Sequence, residues 1–114
     1  MNENLEERTE EFAVAVRVFV RALPRTISNI EDVKQLVRSS GSVAANYIEA
    51  NESLGGKDKT LHFKICRKEA KESALWLRLV HVGENPVLEE QRQTLRQEAR
   101  ELLLIFSAII KRTG

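Results

Sequence analysis

Four times along this chain, apolar residues recur at the spacing of one helix face, with little between the runs except proline or a glycine pair. Pro24, Gly55-Gly56 and Pro86 are the punctuation. The first stripe is Phe12, Val16, Phe19, Val20 and Leu23, and the second is Val33, Leu36, Val37, Ser40, Ala44, Tyr47 and Ile48. The third is Phe63, Cys66, Ala70, Ser73, Ala74, Leu77 and Val80, and the fourth is Leu88, Leu95, Ala99, Leu102, Phe106, Ile109 and Ile110. With five Gly and two Pro in 114 residues, the chain is poor in turns for a sandwich or barrel, and at 42% hydrophobic it is too apolar for disorder. The pattern predicts a single all-α domain over residues 1–114, with helices at about 3–23, 30–53, 58–82 and 87–111. Short connections make sequential helices antiparallel, so the expected architecture is an up-down-up-down four-helix bundle. A chain of 13.0 kDa can bury about two thirds of its unfolded surface, enough for one core without staples.

Local chemistry suggests where these helices begin and end. Ser28 or Asn29 can cap the second, with Glu31 and Asp32 near its positive end. Asp58 can cap the third, Gly83 can close it, and His81 suits the negative end of its dipole. Pro86 fits the first turn of the fourth, and Lys111 and Arg112 suit its last. Inside the second helix, Ser39-Ser40-Gly41-Ser42 and Ala44-Ala45 form a run of small residues. Gly41 costs about 1 kcal/mol relative to Ala in such a position. Two readings are open: close approach of a neighbouring backbone, or a backbone-lined groove.

Several chemistries fail on spacing. A di-iron bundle needs Glu-x-x-His pairs, but Lys59 and Arg78 stand three residues before His62 and His81. One cysteine with two distant histidines is a thin set for zinc. Cys66 lies on an inner stripe, where a thiol behaves as a small hydrophobe. Gly55-Gly56-Lys57-Asp58 lacks the phosphate-loop pattern and follows no strand. The expectation is a non-enzymatic protein with no metal and no cofactor. A single cysteine fits a reducing compartment. No run of 18 apolar residues suggests a membrane span, and the acidic start MNENLEERTEEF has no signal-peptide pattern, so a cytoplasmic location is expected.

Polar and apolar residues beyond the four stripes need partners. Glu49, Glu69 and Glu72 lie at or beside apolar stripes, where a carboxylate must be paired or hydrogen-bonded. Arg38, Ser42, Asn46 and Ser73 are candidate partners, giving a polar network between helices; a ligand contact or an acid/base pair are the other readings. Val14 and Val18 form a second face on the first helix, and Leu104 and Ile105 broaden the fourth. These four are candidate residues for a subunit interface in a homo-oligomer.

Charge is also unevenly distributed. The total is +1, yet residues 57–83 carry seven basic and three acidic side chains. Lys57, Lys64, Lys68, Lys71 and Arg78 fall near one helical line, bordered by Arg67, over roughly 30 Å. Such a stripe can track phosphates, or it can be a solvated helix face.

The second helix reads Arg38-Ser39-Ser40-x-Ser42-Val43-x-Ala45-Asn46-Tyr47-x-Glu49-Ala50. The third carries Asp58, then Lys68-Glu69-Ala70-x-Glu72-Ser73-x-x-Trp76-Leu77. Together these motifs resemble the bacterial four-helix bundle family encoded by intervening sequences of 23S ribosomal RNA genes. Lys59 departs from it, standing where related sequences often carry an aromatic. The resemblance implies an antiparallel bundle and, in several relatives, a homopentameric ring. It also implies kinship with the accessory protein of diversity-generating retroelements, a positively charged barrel that works with a reverse transcriptase and nucleic acid. The family has no established catalytic residues. The leading expectation is therefore an oligomer that binds RNA or a ribonucleoprotein partner such as a reverse transcriptase through the third-helix stripe. The alternative is a protein-interaction scaffold without a nucleic-acid role.

Overall fold

A computed structural model describes residues 4–113. Four helices follow one another: α1 (Leu5–Arg21), α2 (Ile27–Glu52), α3 (Gly56–Leu79) and α4 (Pro86–Thr113). Each packs against its two neighbours in the order α1–α2–α3–α4–α1, so α1 and α3 occupy opposite corners, as do α2 and α4. This is an all-α, antiparallel four-helix bundle. Its extents are 47 × 31 × 19 Å, set by the 28 residues of α4, which at 1.5 Å per residue make a rod of about 42 Å.

The core follows the expected stripes on α1, α3 and α4, but on α2 it is turned toward Ser39, Val43 and Ala50, leaving Ile48 of the expected stripe 45% exposed. Phe12, Val16, Phe19, Leu36, Val43, Cys66, Ala70, Leu77, Ala99, Leu102 and Phe106 are all buried. Phe63 and Phe106 stack with centroids 6.3 Å apart, and Tyr47 leans on both. Cys66 is fully buried, its thiol donating to the Val43 carbonyl at 3.5 Å, and burial pushes its pKa up to about 12. A thiol so held is not a nucleophile at neutral pH.

The helix ends differ from the sequence expectation in instructive ways. α1 starts at Leu5 because Asn4 accepts hydrogen bonds from the Glu6 and Glu7 amides; Glu3, the expected start, lies outside the described residues. α1 ends at Arg21, two residues short of the expected Leu23. Thr26, not Ser28 or Asn29, caps α2, so that helix begins three residues early. Asp58 sits in the first turn of α3 and Gly55 takes the cap position without a side-chain bond. α3 ends at Leu79, before His81 and Gly83, so neither acts at its last turn. Gly83 instead turns the α3–α4 connection with φ +69°, a left-handed conformation that favours glycine. Asn85 caps α4 through bonds from the Val87 and Leu88 amides, with Pro86 in the first helical position as expected.

Asn29 has a larger task than capping. It is 1% exposed, and its side-chain amide donates to the carbonyls of Pro24 and His81, both at 2.8 Å. Its carbonyl oxygen accepts from the His81 amide, also at 2.8 Å. One side chain thus ties the α1–α2 turn to the α3–α4 turn.

Gly41 meets a side chain rather than a close backbone. A Cβ at this position would lie 3.2 Å from the end of the Arg17 guanidinium, which bonds the Ala13 carbonyl on α1. α1 also meets α4 through Arg8, which bonds Glu98 at 2.7 and 2.8 Å and Glu101 at 2.8 Å. Gln97 and Arg8 hold the Glu101 carboxyl below the ordinary glutamate range, and Arg92 and Gln93 do the same for Glu89.

Three outcomes follow from this architecture. Asn29→Ala leaves the His81 amide without its partner and is expected to lower stability by about 2–3 kcal/mol in denaturant unfolding. Gly41→Ala displaces only the flexible tip of Arg17 and gains helix propensity, so the same assay should show a gain of up to about 1 kcal/mol. Glu89 and Glu101, lowered in the folded state, favour folding above the unfolded glutamate value of about 4.3. That contribution is lost as pH falls through their folded values. Acid unfolding followed by circular dichroism should show Arg8→Ala narrowing the stability difference between pH 7 and pH 3.

Candidate nucleic-acid interface

The two acids in the middle of α3, Glu69 and Glu72, pair with Arg38 of α2 rather than with the basic residues of their own helix. Lys57, Lys64, Lys68, Lys71 and Arg78 are exposed and Arg67 is half-buried. None of the six forms an ion pair among the described residues, whereas Arg8, Lys34, Arg38 and Arg92 do. Their side chains are not one uniform row. Arg67, Lys68 and Lys71 surround a hollow of about 550 Å³ that reaches Leu103 of α4. Lys71 and Arg78 continue into a groove of about 300 Å³ between α3 and α4. Lys57 and Lys64 line a different hollow at the start of α3, with Gly56, Thr60 and Thr113.

The α3–α4 groove adds two cations that the sequence reading did not single out. Its far wall carries Gln93, Arg96, Gln97 and Arg100, with Leu103 and Leu104. Arg96 is half-buried and Arg100 exposed, and neither is ion-paired among the described residues. The two hollows share Lys71 and Leu103, so Arg67, Lys68, Lys71, Arg78, Arg96 and Arg100 border one trough. The carboxylate at its edge, Glu72, is bonded to Arg38 at 3.4 Å. A signal for Arg96 and Arg100 existed in their i, i+4 spacing. It was masked because α4 also holds acids, of which Glu98 and Glu101 bond Arg8 and Glu89 bonds Arg92, with Arg96 also acting on the Glu89 carboxylate.

The candidate polar network resolves into three separate sets. Arg38 meets Glu69 at 3.6 Å and Glu72 at 3.4 Å. Ser73 shares a buried 2.8 Å hydrogen bond with Ser39, a residue the sequence reading left out of the network. Asn46 donates to the carbonyl and hydroxyl of Ser42 and meets His62 Nδ1 at 3.0 Å, another partner the sequence did not indicate. Glu49 joins none of these: it is exposed, and its carboxylate has no bond among the described residues. Two buried polar atoms, Glu69 Oε1 and Trp76 Nε1, have no hydrogen-bond partner among the described residues.

The four candidate interface residues do not form one patch. Val14 and Val18 are about half exposed on α1, and Val18 overhangs a hollow of about 370 Å³ with Phe19 and Leu95. Leu104 lies in the groove on the opposite flank of α4, and Ile105 is half-buried. Among the described residues, no three of His, Cys, Asp and Glu gather where a metal could be held, and no helix is long and apolar enough to cross a membrane.

The fold and its motifs have known counterparts. A crystal structure of a protein of unknown function from the S23 ribosomal protein family of Bacteroides thetaiotaomicron is similar, with a TM-score of 0.81 and 27% identity. The match covers 95% of this chain and 99% of that one. Among curated proteins none matches. The family model described as 23S rRNA-intervening sequence protein matches residues 3–108, nearly the whole bundle. The chain belongs to the 23S rRNA-intervening sequence protein family.

Proposed function

We propose that this protein is a non-enzymatic, homo-oligomeric bundle that binds RNA or another nucleic acid through the trough between α3 and α4, in a cytoplasmic setting. The observation that carries this reading is the trough itself, in which six unpaired cations from two helices border a continuous hollow. Guanidinium and ammonium groups arranged in this way neutralise phosphates and release counterions, so binding is driven by backbone charge. All six aromatic rings of the chain are buried or half-buried, so the trough offers no stacking platform for unpaired bases. The nucleic-acid partner is therefore gripped by shape and phosphate spacing rather than by base identity. A homopentamer and a reverse transcriptase partner are the specific forms the family resemblance suggests. Oligomerisation would multiply several weak troughs into one effective site.

A second reading has its own support. Val14, Val18, Leu79 and Leu104 are each more than half exposed, which suits a protein-interaction scaffold. Fluorescence anisotropy separates the two. Structured RNA should bind wild-type protein at low salt, with a slope of log K against log salt of roughly −3 if four phosphates are neutralised. The triple variant Arg78→Glu, Arg96→Glu and Arg100→Glu should bind at least about tenfold more weakly, while Arg112→Glu should not. Absence of binding by wild type, or indifference to the triple variant, would remove the nucleic-acid reading. A partner retained in pull-down after nuclease treatment would favour the scaffold.

A further inference from the structure

The outward faces of α1 and α3 carry the same spacing with opposite charge. On α1, Glu7 is followed seven residues later by Val14 and four residues after that by Val18. On α3, Lys68 is followed at the same two intervals by Leu75 and Leu79. The offset also sets Glu10 against Lys71. All of these side chains are exposed: Val14 54%, Val18 52%, Leu75 37% and Leu79 54%. Glu72, which the same offset brings to Glu11, is already bonded to Arg38.

Height in the bundle matches as well. α1 and α3 run in the same direction on opposite corners. At one level, Arg8 of α1 bonds Glu98 and Glu101 of α4, and that stretch of α4 faces Lys71 and Ala74 across the groove. About two turns on, Val18 shares a hollow with Gln91 and Thr94, while Arg92 bonds the carbonyls of Leu77 and Val80. The α1 segment from Glu7 to Val18 therefore stands within about one turn of the α3 segment from Lys68 to Leu79.

We infer that these two faces are complementary halves of one contact between copies of the chain: α1 of one copy docks along α3 of the next, acids on lysines and valines on leucines. This rests on the proposed self-association and specifies which surfaces meet. The contact is heterologous, and because the two segments are level it adds copies side by side with little axial step; such copies close into a ring only where a rotation between them closes. The contact takes up Lys68 and Lys71 at one end of the trough and leaves Arg78, Arg96 and Arg100 in the groove between α3 and α4.

Sedimentation velocity on the full chain tests the pairing. Wild type should sediment as a species heavier than 13.0 kDa. Glu7→Lys and Lys68→Glu should each weaken association by about tenfold or more, since each replaces an attraction with a repulsion. The double variant should recover most of the loss. Val18→Asp, checked for retained helicity by circular dichroism, should also dissociate the assembly. An oligomer that ignores the reversals, or a double variant that fails to recover, overturns this pairing and leaves self-association standing. A monomeric wild type overturns both. RNA anisotropy on the Arg78→Glu, Arg96→Glu and Arg100→Glu variant, whose α1–α3 contact residues are unchanged and which should still sediment as the assembly, reads the nucleic-acid proposal separately.

Discussion

The seam between α2 and α3 is the constraint from which the rest of this bundle follows. Small residues line it: Ser39 and Ser40 from α2, and Cys66, Ala70 and Ser73 from α3, all fully buried. Hydroxyls at such a depth are tolerable only when bonded, and Ser39 and Ser73 satisfy each other at 2.8 Å while Ser40 turns back to the Val37 carbonyl. The Cys66 thiol completes the seam against the Val43 carbonyl. Beyond this seam, α1 and α4 bring Phe12, Phe19, Leu102 and Phe106 to the core, where Leu36 of α2 and Phe63 and Leu77 of α3 join them. α1 and α4 close the core from the far side. They meet each other through Arg8 and its glutamates beside an open hollow.

This division of labour decides where charge can stay free. Where two helices are tied electrostatically, a cation is used up: Arg8 of α1 on Glu98 and Glu101 of α4, and Arg38 of α2 on Glu69 and Glu72 of α3; Arg92 pairs with Glu89 inside α4. Arg38 is the only α2 cation so engaged across to α3 among the described residues, because small side chains do most of the joining there. Between α3 and α4, apolar contacts around Leu77, Leu95 and Leu102 join the helices, and no interhelical ion pair is found among the described residues. The cations flanking that seam are thus left over from structure. Their concentration in a single trough is a consequence of which seams need ionic ties and which do not.

The stripes were legible in the sequence because helical burial repeats every three to four residues and needs no knowledge of the partner. Phe12, Leu36, Leu77 and Phe106 could each be assigned to the core from local spacing alone. What escaped the reading depends on residues far apart in the chain. Asn29 looks like a cap from its neighbours, but its decisive partner is His81, reached only once two turns converge. Arg96 and Arg100 look neutralised within their own segment until Arg8, some ninety residues away, is seen to take two of its acids. Glu49 fails for the converse reason. Its position beside an apolar stripe implied a partner, yet near the end of α2 it reaches solvent and needs none. Local periodicity reports burial well, and it reports pairing poorly, because pairing is a property of the assembled corners.

The same distinction governs the outer faces. An exposed valine on a helix surface is ordinary by itself. Val14 and Val18 gain meaning from Leu75 and Leu79, which repeat their spacing on the opposite corner at the same height, each pair preceded by a charge of opposite sign. A contact built from that match places acid against base twice per junction and so spends part of the basic excess of α3. The remainder, Arg78 with Arg96 and Arg100 of α4, points along the flank and recurs once per copy. If copies add without axial shift, these remainders lie at one level, and their fields sum around the assembly. In such an assembly a chain with a total charge of +1 would present an anion-binding surface, because self-association would neutralise one side of it and leave the other bare.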